Sequence, residues 1–286
     1  MLTRAQAHEF DERGFLVLPR LLSPEQVDPL RRAALELVDA FDIDHHRTVF
    51  STKDGDAGRD DYFFASAQGV GCFLEEDALD AAGALRCDKR QAINKIGHAM
   101  HDLVPAFREF CRLPAFIELL RDIGYRTPVL WQTMYIFKQP RIGGEVRWHQ
   151  DATYLATEPN SDAGVQPRVT GMWVAIEDAH RGNGCLWVQP GGHRSPLRER
   201  FEVDWEHRRG TLRRLDDTPW PSLDRAEAVE VPAGSLVMFH DHLPHFSSQN
   251  TSESSRHAFT MHVAEQGASW SASNWLQRPR LGDFVL

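Results

Sequence analysis

The sequence predicts a mainly β fold: a jelly-roll-like antiparallel sandwich or barrel preceded by a helical region. Three observations predict it. From about residue 127 onward, β-branched and aromatic runs are separated by turn residues: VLWQTMYIF, VTGMWVAIE, CLWVQ, VEVPAG, SLVMFH and HAFTMHV. No helical periodicity intervenes between them, so short strands should pair antiparallel rather than through βαβ crossovers. Before residue 127 the apolar spacing is mostly helical. The 286 residues contain neither a Pro/Gly/Ser-rich linker nor an internal repeat. They read as one domain, 1–286, with 1–126 a helical elaboration and 127–286 the β core.

In chain order, Ser23-Pro24-Glu25-Gln26 combines an N-cap, Pro at the first helical position and Gln three residues after the cap. Val27, Leu30, Ala34, Leu37 or Val38, and Phe41 follow at helical spacing, with Pro29 placed to delay or kink the first turn. Residues 51–61, STKDGDAGRDD, are polar and turn-rich, and read as an inert exposed loop or a lid. Helical patterning resumes over Ile93, Ile96, Met100 and Leu103, then over Phe116, Leu119 and Leu120, with Gly124 as the stop. Beyond a Gly143-Gly144 turn, residues 145–148 are extended, and 256–263 form a strand.

Composition narrows the function classes. With 32 Lys and Arg against 41 Asp and Glu, the formal charge of −9 argues against a generic nucleic-acid binder. A single buried Arg can still hold a small anion. No apolar run reaches a membrane span and no signal-peptide core is present, so the expected location is the cytoplasm. The C-terminus lacks a Ser-Lys-Leu ending, and Leu2 rules out myristoylation. Cys72, Cys87, Cys111 and Cys185 are irregularly spaced, as expected for reduced thiols. There is no Walker A loop, no H-E-x-x-H, no G-x-S-x-G, and Gly69-Val70-Gly71 lacks a third glycine.

The remaining chemistry lies in two clusters. In an extended segment residues two apart share a side, so His149 and Asp151 can face one metal. His240, His242 and His245 follow the run ending at Phe239, and any one of them would complete the two-His, one-carboxylate triad of non-haem Fe(II) oxygenases. Eleven residues after His245 stands Arg256. Period-two counting places it with Ala258, Thr260 and His262 on one strand face, a small and polar face that suggests a cavity. Its partner is either a ligand carboxylate or an internal Asp or Glu.

These residues, together with GFLVL (14–18), INKIGHA (93–99), QTMYIFKQP (132–140), GGEVRWHQDATYL (143–155), WVAIEDA (173–179), NGCLWVQPGGH (183–193) and SNWLQ (273–277), resemble the phytanoyl-CoA dioxygenase family of Fe(II)- and 2-oxoglutarate-dependent oxygenases. The resemblance implies a double-stranded β-helix, the cupin-like jelly roll. It implies His149, Asp151 and His245 as iron ligands, selecting His245 over His240 and His242, and Arg256 as the clamp on the distal carboxylate of 2-oxoglutarate. It further implies that Lys95, Met134, Trp173 and Ser247 contact that cosubstrate. The implied reaction uses O₂ and a small-molecule substrate, releasing succinate and CO₂ as a C–H bond is hydroxylated. Related halogenases replace the carboxylate with a small residue, so Asp151 favours hydroxylation. Arg208, Arg209, Arg213 and Arg214 flank Gly210 and form either a phosphate grip for a CoA thioester or a solvated basic stretch. Two other readings are a zinc hydrolase, which has no need of Arg256, and a non-catalytic 2-oxoglutarate-binding jelly roll.

Overall fold

The computed structural model describes residues 1–50, 60–158 and 168–286. Most of the polar stretch read as a loop or lid, residues 51–59, lies outside the described residues. Its end is a helix cap: Asp60 Oδ1 accepts from the Phe63 N–H at 2.8 Å and Oδ2 from Thr48 Oγ1 at 2.7 Å, starting the helix Asp61–Ala65.

Two antiparallel sheets build the core. The larger runs Phe15–Leu18, Leu236–His240, Val169–Ala175, Ala258–Glu265, Pro128–Ile136, Ile93–His98, Val70–Leu74, with Phe284–Val285 also beside Pro128–Ile136. The smaller runs Glu227–Val229, Leu186–Val188, His245–Ser247, Val146–His149. Five of the six expected runs pair over most of their length. In VEVPAG only Val229 belongs to a strand, and Val231 makes an isolated bridge to Ala179.

Alternation along the large sheet divides its two faces. Phe259, Met261 and Val263, with Tyr135, Met172, Val174 and Met238, pack against Val27, Leu30, Ala34, Val38, Phe107, Phe110 and Phe116 from the helices. The other face, carrying Gln132, Met134, Trp173, Thr260 and His262, meets Val146, His149, His245 and Ser247 of the small sheet around a cavity. Burying each large apolar side chain contributes roughly 1.5–3 kcal/mol, so the helical cover holds the strands whose opposite faces form the site.

The helix Pro24–Ala40 begins where expected, with the Ser23 N–H donating to Gln26 Oε1 at 3.0 Å, and it runs through Pro29 without delay. One segment corrects the sequence reading. Ile93 and Ile96 lie on the strand Ile93–His98, and only Met100–Leu103 is helical. The strand is buried along its whole length between Val70–Leu74 and Pro128–Ile136. Burial on both faces erases the period of two, leaving an apolar spacing that imitates a helix. The N-terminal part therefore contributes three strands to the large sheet as well as its helical cover.

Candidate active site

His149 ends the strand Val146–His149, and His245 opens the neighbouring strand directly opposite it in register. Their rings lie 4.1 Å apart between centroids. Asp151 begins a 3₁₀ turn, Asp151–Thr153, that returns its carboxylate to the same side, and Oδ1 stands 3.6 Å from His149 Nε2 and 3.7 Å from His245 Nε2. Between them Gln150 points the other way. Its amide donates to the carbonyls of Pro196 and His242, and its oxygen accepts from the Arg198 N–H, which pins the backbone carrying both neighbours.

Local bonds prepare the three groups for a cation. His149 Nδ1 lies 2.9 Å from the Arg147 carbonyl and His245 Nδ1 2.9 Å from the Leu243 carbonyl. A carbonyl only accepts, so each Nδ1 carries the proton and each Nε2 lone pair is directed at the common point. Burial, reinforced by His245, holds the His149 pKa down to about 3. Burial alone would raise Asp151, yet His262, His245 and His149 together keep it well below the ordinary carboxylate range. The three donor atoms lie within 4.8 Å of one another, and this is the donor set preferred by divalent iron or zinc.

His262 is a neighbour that the sequence reading placed on the cavity face without assigning it a role. Its Nε2 meets Asp151 Oδ2 at 3.1 Å, leaving Oδ1 turned toward the two histidines. Period two, counted from Arg256, was the available signal. A second unassigned contributor is Phe239, whose ring packs 4.8 Å from that of His245 and crosses Gly171 in the adjacent strand. A Cβ at Gly171 would lie 2.4 Å from that ring, so a side chain there would displace the prop behind His245.

Arg256 enters the same cavity from just before the strand Ala258–Glu265. It is 2 % exposed, its Nε donates to the Gly184 carbonyl at 3.1 Å, and its Nη1 has no partner among the described residues. No carboxylate of the described residues pairs with it, which removes the internal salt bridge as the reason for its burial. Burial pulls its pKa down to about 10. Trp173 lies beneath the guanidinium at 5.3 Å, and the Thr260 hydroxyl on the same strand face also has no partner among the described residues. In register, Thr260 sits between Trp173 and Met134. Ser247 Oγ accepts from the buried Lys138 Nζ at 2.8 Å, freeing its own proton to point elsewhere. Lys95 lines the cavity with its Nζ 3.2 Å from the centre of the Phe50 ring. Every residue singled out in the sequence as a ligand or cosubstrate contact thus borders one cavity.

The other candidates separate from it. His240 Nδ1 lies 2.9 Å from Asp241 Oδ1 and accepts from the His242 N–H, and neither ring borders the cavity. In the basic stretch, Arg208 pairs with Asp61, Arg213 with Glu202 and Arg214 with Asp217. Those pairs match a solvated surface better than a phosphate grip. Among the described residues, no helix is long and apolar enough to cross a membrane.

Comparison with known proteins extends this geometry. The family model for phytanoyl-CoA dioxygenase (PhyH) matches residues 10–258. Phytanoyl-CoA dioxygenase 1 of Oryza sativa subsp. japonica is 43% identical over 97% of this chain and 94% of its own. Phytanoyl-CoA dioxygenase domain-containing protein 1 of Danio rerio is 40% identical over 97% of this chain and 95% of its own. Among solved structures, the epimerase SnoN, in complex with Fe3+, alpha ketoglutarate and nogalamycin RO, aligns with a TM-score of 0.63 over 99% of this chain and 92% of that one at 15% identity. The non-heme alpha ketoglutarate dependent carbocyclase SnoK aligns with a TM-score of 0.62 over 94% and 86% at 18% identity. Those two establish the fold, and the match along most of the sequence establishes the lineage: this chain belongs to the phytanoyl-CoA dioxygenase family.

Proposed function

We propose that the chain, acting as one continuous unit, is a non-haem Fe(II)- and 2-oxoglutarate-dependent dioxygenase that hydroxylates a C–H bond of a small molecule. The observation that carries this reading is Arg256, buried without a carboxylate partner among the described residues in the cavity that holds the His149, Asp151 and His245 donors. A zinc hydrolase would share the donors and leave that arginine without a purpose. Bound Fe(II) supplies the oxidising chemistry with O₂ and 2-oxoglutarate, releasing succinate and CO₂.

The chain's own part is placement and exclusion of water. His149, Asp151 and His245 offer three donors from one side, leaving the other side for ligands. His262 fixes which Asp151 oxygen serves as donor. Arg256 receives the distal carboxylate in a planar fork, over Trp173 and beside Thr260 and Ser247. Met134 and Lys95 close the walls of that end.

Purified protein should consume 2-oxoglutarate and release succinate only when Fe(II) and O₂ are both supplied, and Asp151→Ala should abolish this turnover. Succinate release by Asp151→Ala and His245→Ala at the wild-type rate, with metal-stripped controls inactive, would refute the ligand assignment. Binding of Fe(II) and 2-oxoglutarate without any succinate would instead identify a sensing module.

A further inference from the structure

The strand that begins beyond Arg256 ends its cavity face at His262, six residues or about 20 Å farther on. At that far end the cavity has a different character. Gln132 lies in register beside His262 and is 5 % exposed, yet its side-chain amide has no hydrogen-bond partner among the described residues. His98, 1 % exposed, borders the same cavity. Its Nδ1 meets Ser66 Oγ at 2.8 Å, and that hydroxyl donates its own proton to the Phe63 carbonyl at 2.5 Å. The proton must therefore sit on His98 Nδ1, which leaves Nε2 an acceptor with no partner among the described residues. Around it stand Trp275, 4.8 Å from the His98 ring, and Phe63, 4.5 Å from Trp275, with Leu155 also in the wall.

An amide and an imidazole nitrogen that both open onto the cavity, in an aromatic wall and without a partner among the described residues, mark a site for a ligand group. Besides Arg256, the cations that border the cavity are engaged: Lys95 Nζ lies 3.2 Å from the centre of the Phe50 ring, and Arg147 is ion-paired with Glu199 at 3.3 Å. A carboxylate or ammonium at the far end would lose its hydration without a counter-charge.

We infer that this end is the pocket for the molecule to be oxidised, and that it selects an uncharged substrate with an apolar body and a hydroxyl, the hydroxyl donating to His98 Nε2 and accepting from the Gln132 amide. The inference rests on the reading that Arg256 takes 2-oxoglutarate, since that leaves the far end for the substrate.

The test is direct binding to protein loaded with Zn(II) and 2-oxoglutarate, which cannot turn over, followed by ligand-observed NMR. The probes are 2-phenylethanol, its methyl isostere propylbenzene, and the charged analogues phenylacetate and phenethylammonium. The alcohol should bind about tenfold more tightly than propylbenzene, as one net hydrogen bond predicts, and both charged probes should bind more weakly than either. Gln132→Met should erase the preference for the alcohol, with 2-oxoglutarate affinity within threefold of wild type as the internal control. Should that variant fail to fold, the wild-type ranking and a competition decide: 2-oxoglutarate should leave the alcohol bound. If 2-oxoglutarate does not load at all, the Arg256 reading falls, and the alcohol preference of the unloaded protein still tests the far end. Equal binding of alcohol and propylbenzene, a charged probe binding tightest, or displacement of the alcohol by 2-oxoglutarate would overturn the inference.

Discussion

Arg278 and Arg256 are both buried, 6 % and 2 % exposed, but the two regions treat the same side chain in opposite ways. Arg278, beneath the C-terminal segment, donates through Nη1 to the carbonyls of Leu130 and Trp131 and to His101 Nε2, and through Nη2 to Asp102 Oδ2 at 2.5 Å. Among the described residues, its Nε alone lacks a partner. Arg256 reverses this pattern: Nε is satisfied by Gly184 and the outer edge of the guanidinium is not. A buried charge whose counter-charge comes from the chain belongs to the fold. One without a counter-charge among the described residues is carried by the rest of the structure, which meets the cost of its burial.

The largest effect that separates the two is on stability. Arg278→Met leaves the half-buried Asp102 without its cation and the Leu130 and Trp131 carbonyls without that donor, and should lower the unfolding free energy by about 3 kcal/mol in urea titrations, with 2-oxoglutarate affinity of the folded protein unchanged. Arg256→Ala should do the reverse. Loss of a charge-assisted contact worth about 1.5–3 kcal/mol should weaken 2-oxoglutarate roughly 10- to 150-fold in an anaerobic titration of Fe(II)-loaded protein, with stability unchanged or raised. Arg256→Lys should fall between, because an ammonium attracts the carboxylate without reproducing the two-donor fork. A stability loss in Arg256→Ala as large as that in Arg278→Met would erase the distinction, and unchanged affinity would point to Lys95 as the cation that holds the diacid.

A smaller effect follows from the neutral histidines on the structural side. Burial, and then the Arg278 charge, hold His101 well below its usual pKa, and burial holds His257 down to about 4. Between roughly pH 4 and 6.5 the unfolded chain protonates these rings while the folded chain does not. Stability should therefore fall as pH drops through that window, by up to about 1.4 kcal/mol per pH unit for each ring. Unfolding free energies measured at pH 7, 6 and 5 should show this slope, reduced in His257→Asn, and a slope unaffected by that substitution would contradict it. The smallest effect is expected just outside the cavity: His240→Ala and His242→Ala should keep stoichiometric iron by metal analysis, whereas His245→Ala should lose it.

How much was legible follows the same division. His149 and Asp151 could be paired from spacing alone, because two residues on an extended segment share a side whatever surrounds them. The strand face of Arg256, Thr260 and His262 was legible for the same reason. Ile93–His98 was misread because burial on both faces left no period to count. The choice among three histidines needed either a family resemblance or the register that sets His245 opposite His149, nearly a hundred residues away. Nothing local indicated that His262 would meet Asp151, that Gly171 would make room for Phe239, or that Gln132 and His98 would be left open.

By itself, then, the sequence determined which segments are strands and helices over most of the chain, which residues share a face, and which side chains have the chemistry to hold a metal and a diacid. Those properties depend on backbone periodicity and side-chain type, and neighbours in sequence carry them. The tertiary structure decided which polar groups find partners. A hydrogen bond is made or withheld over a few tenths of an ångström between groups brought together by sheet register, and the same buried arginine is a brace at position 278 and is left open toward the cavity at position 256.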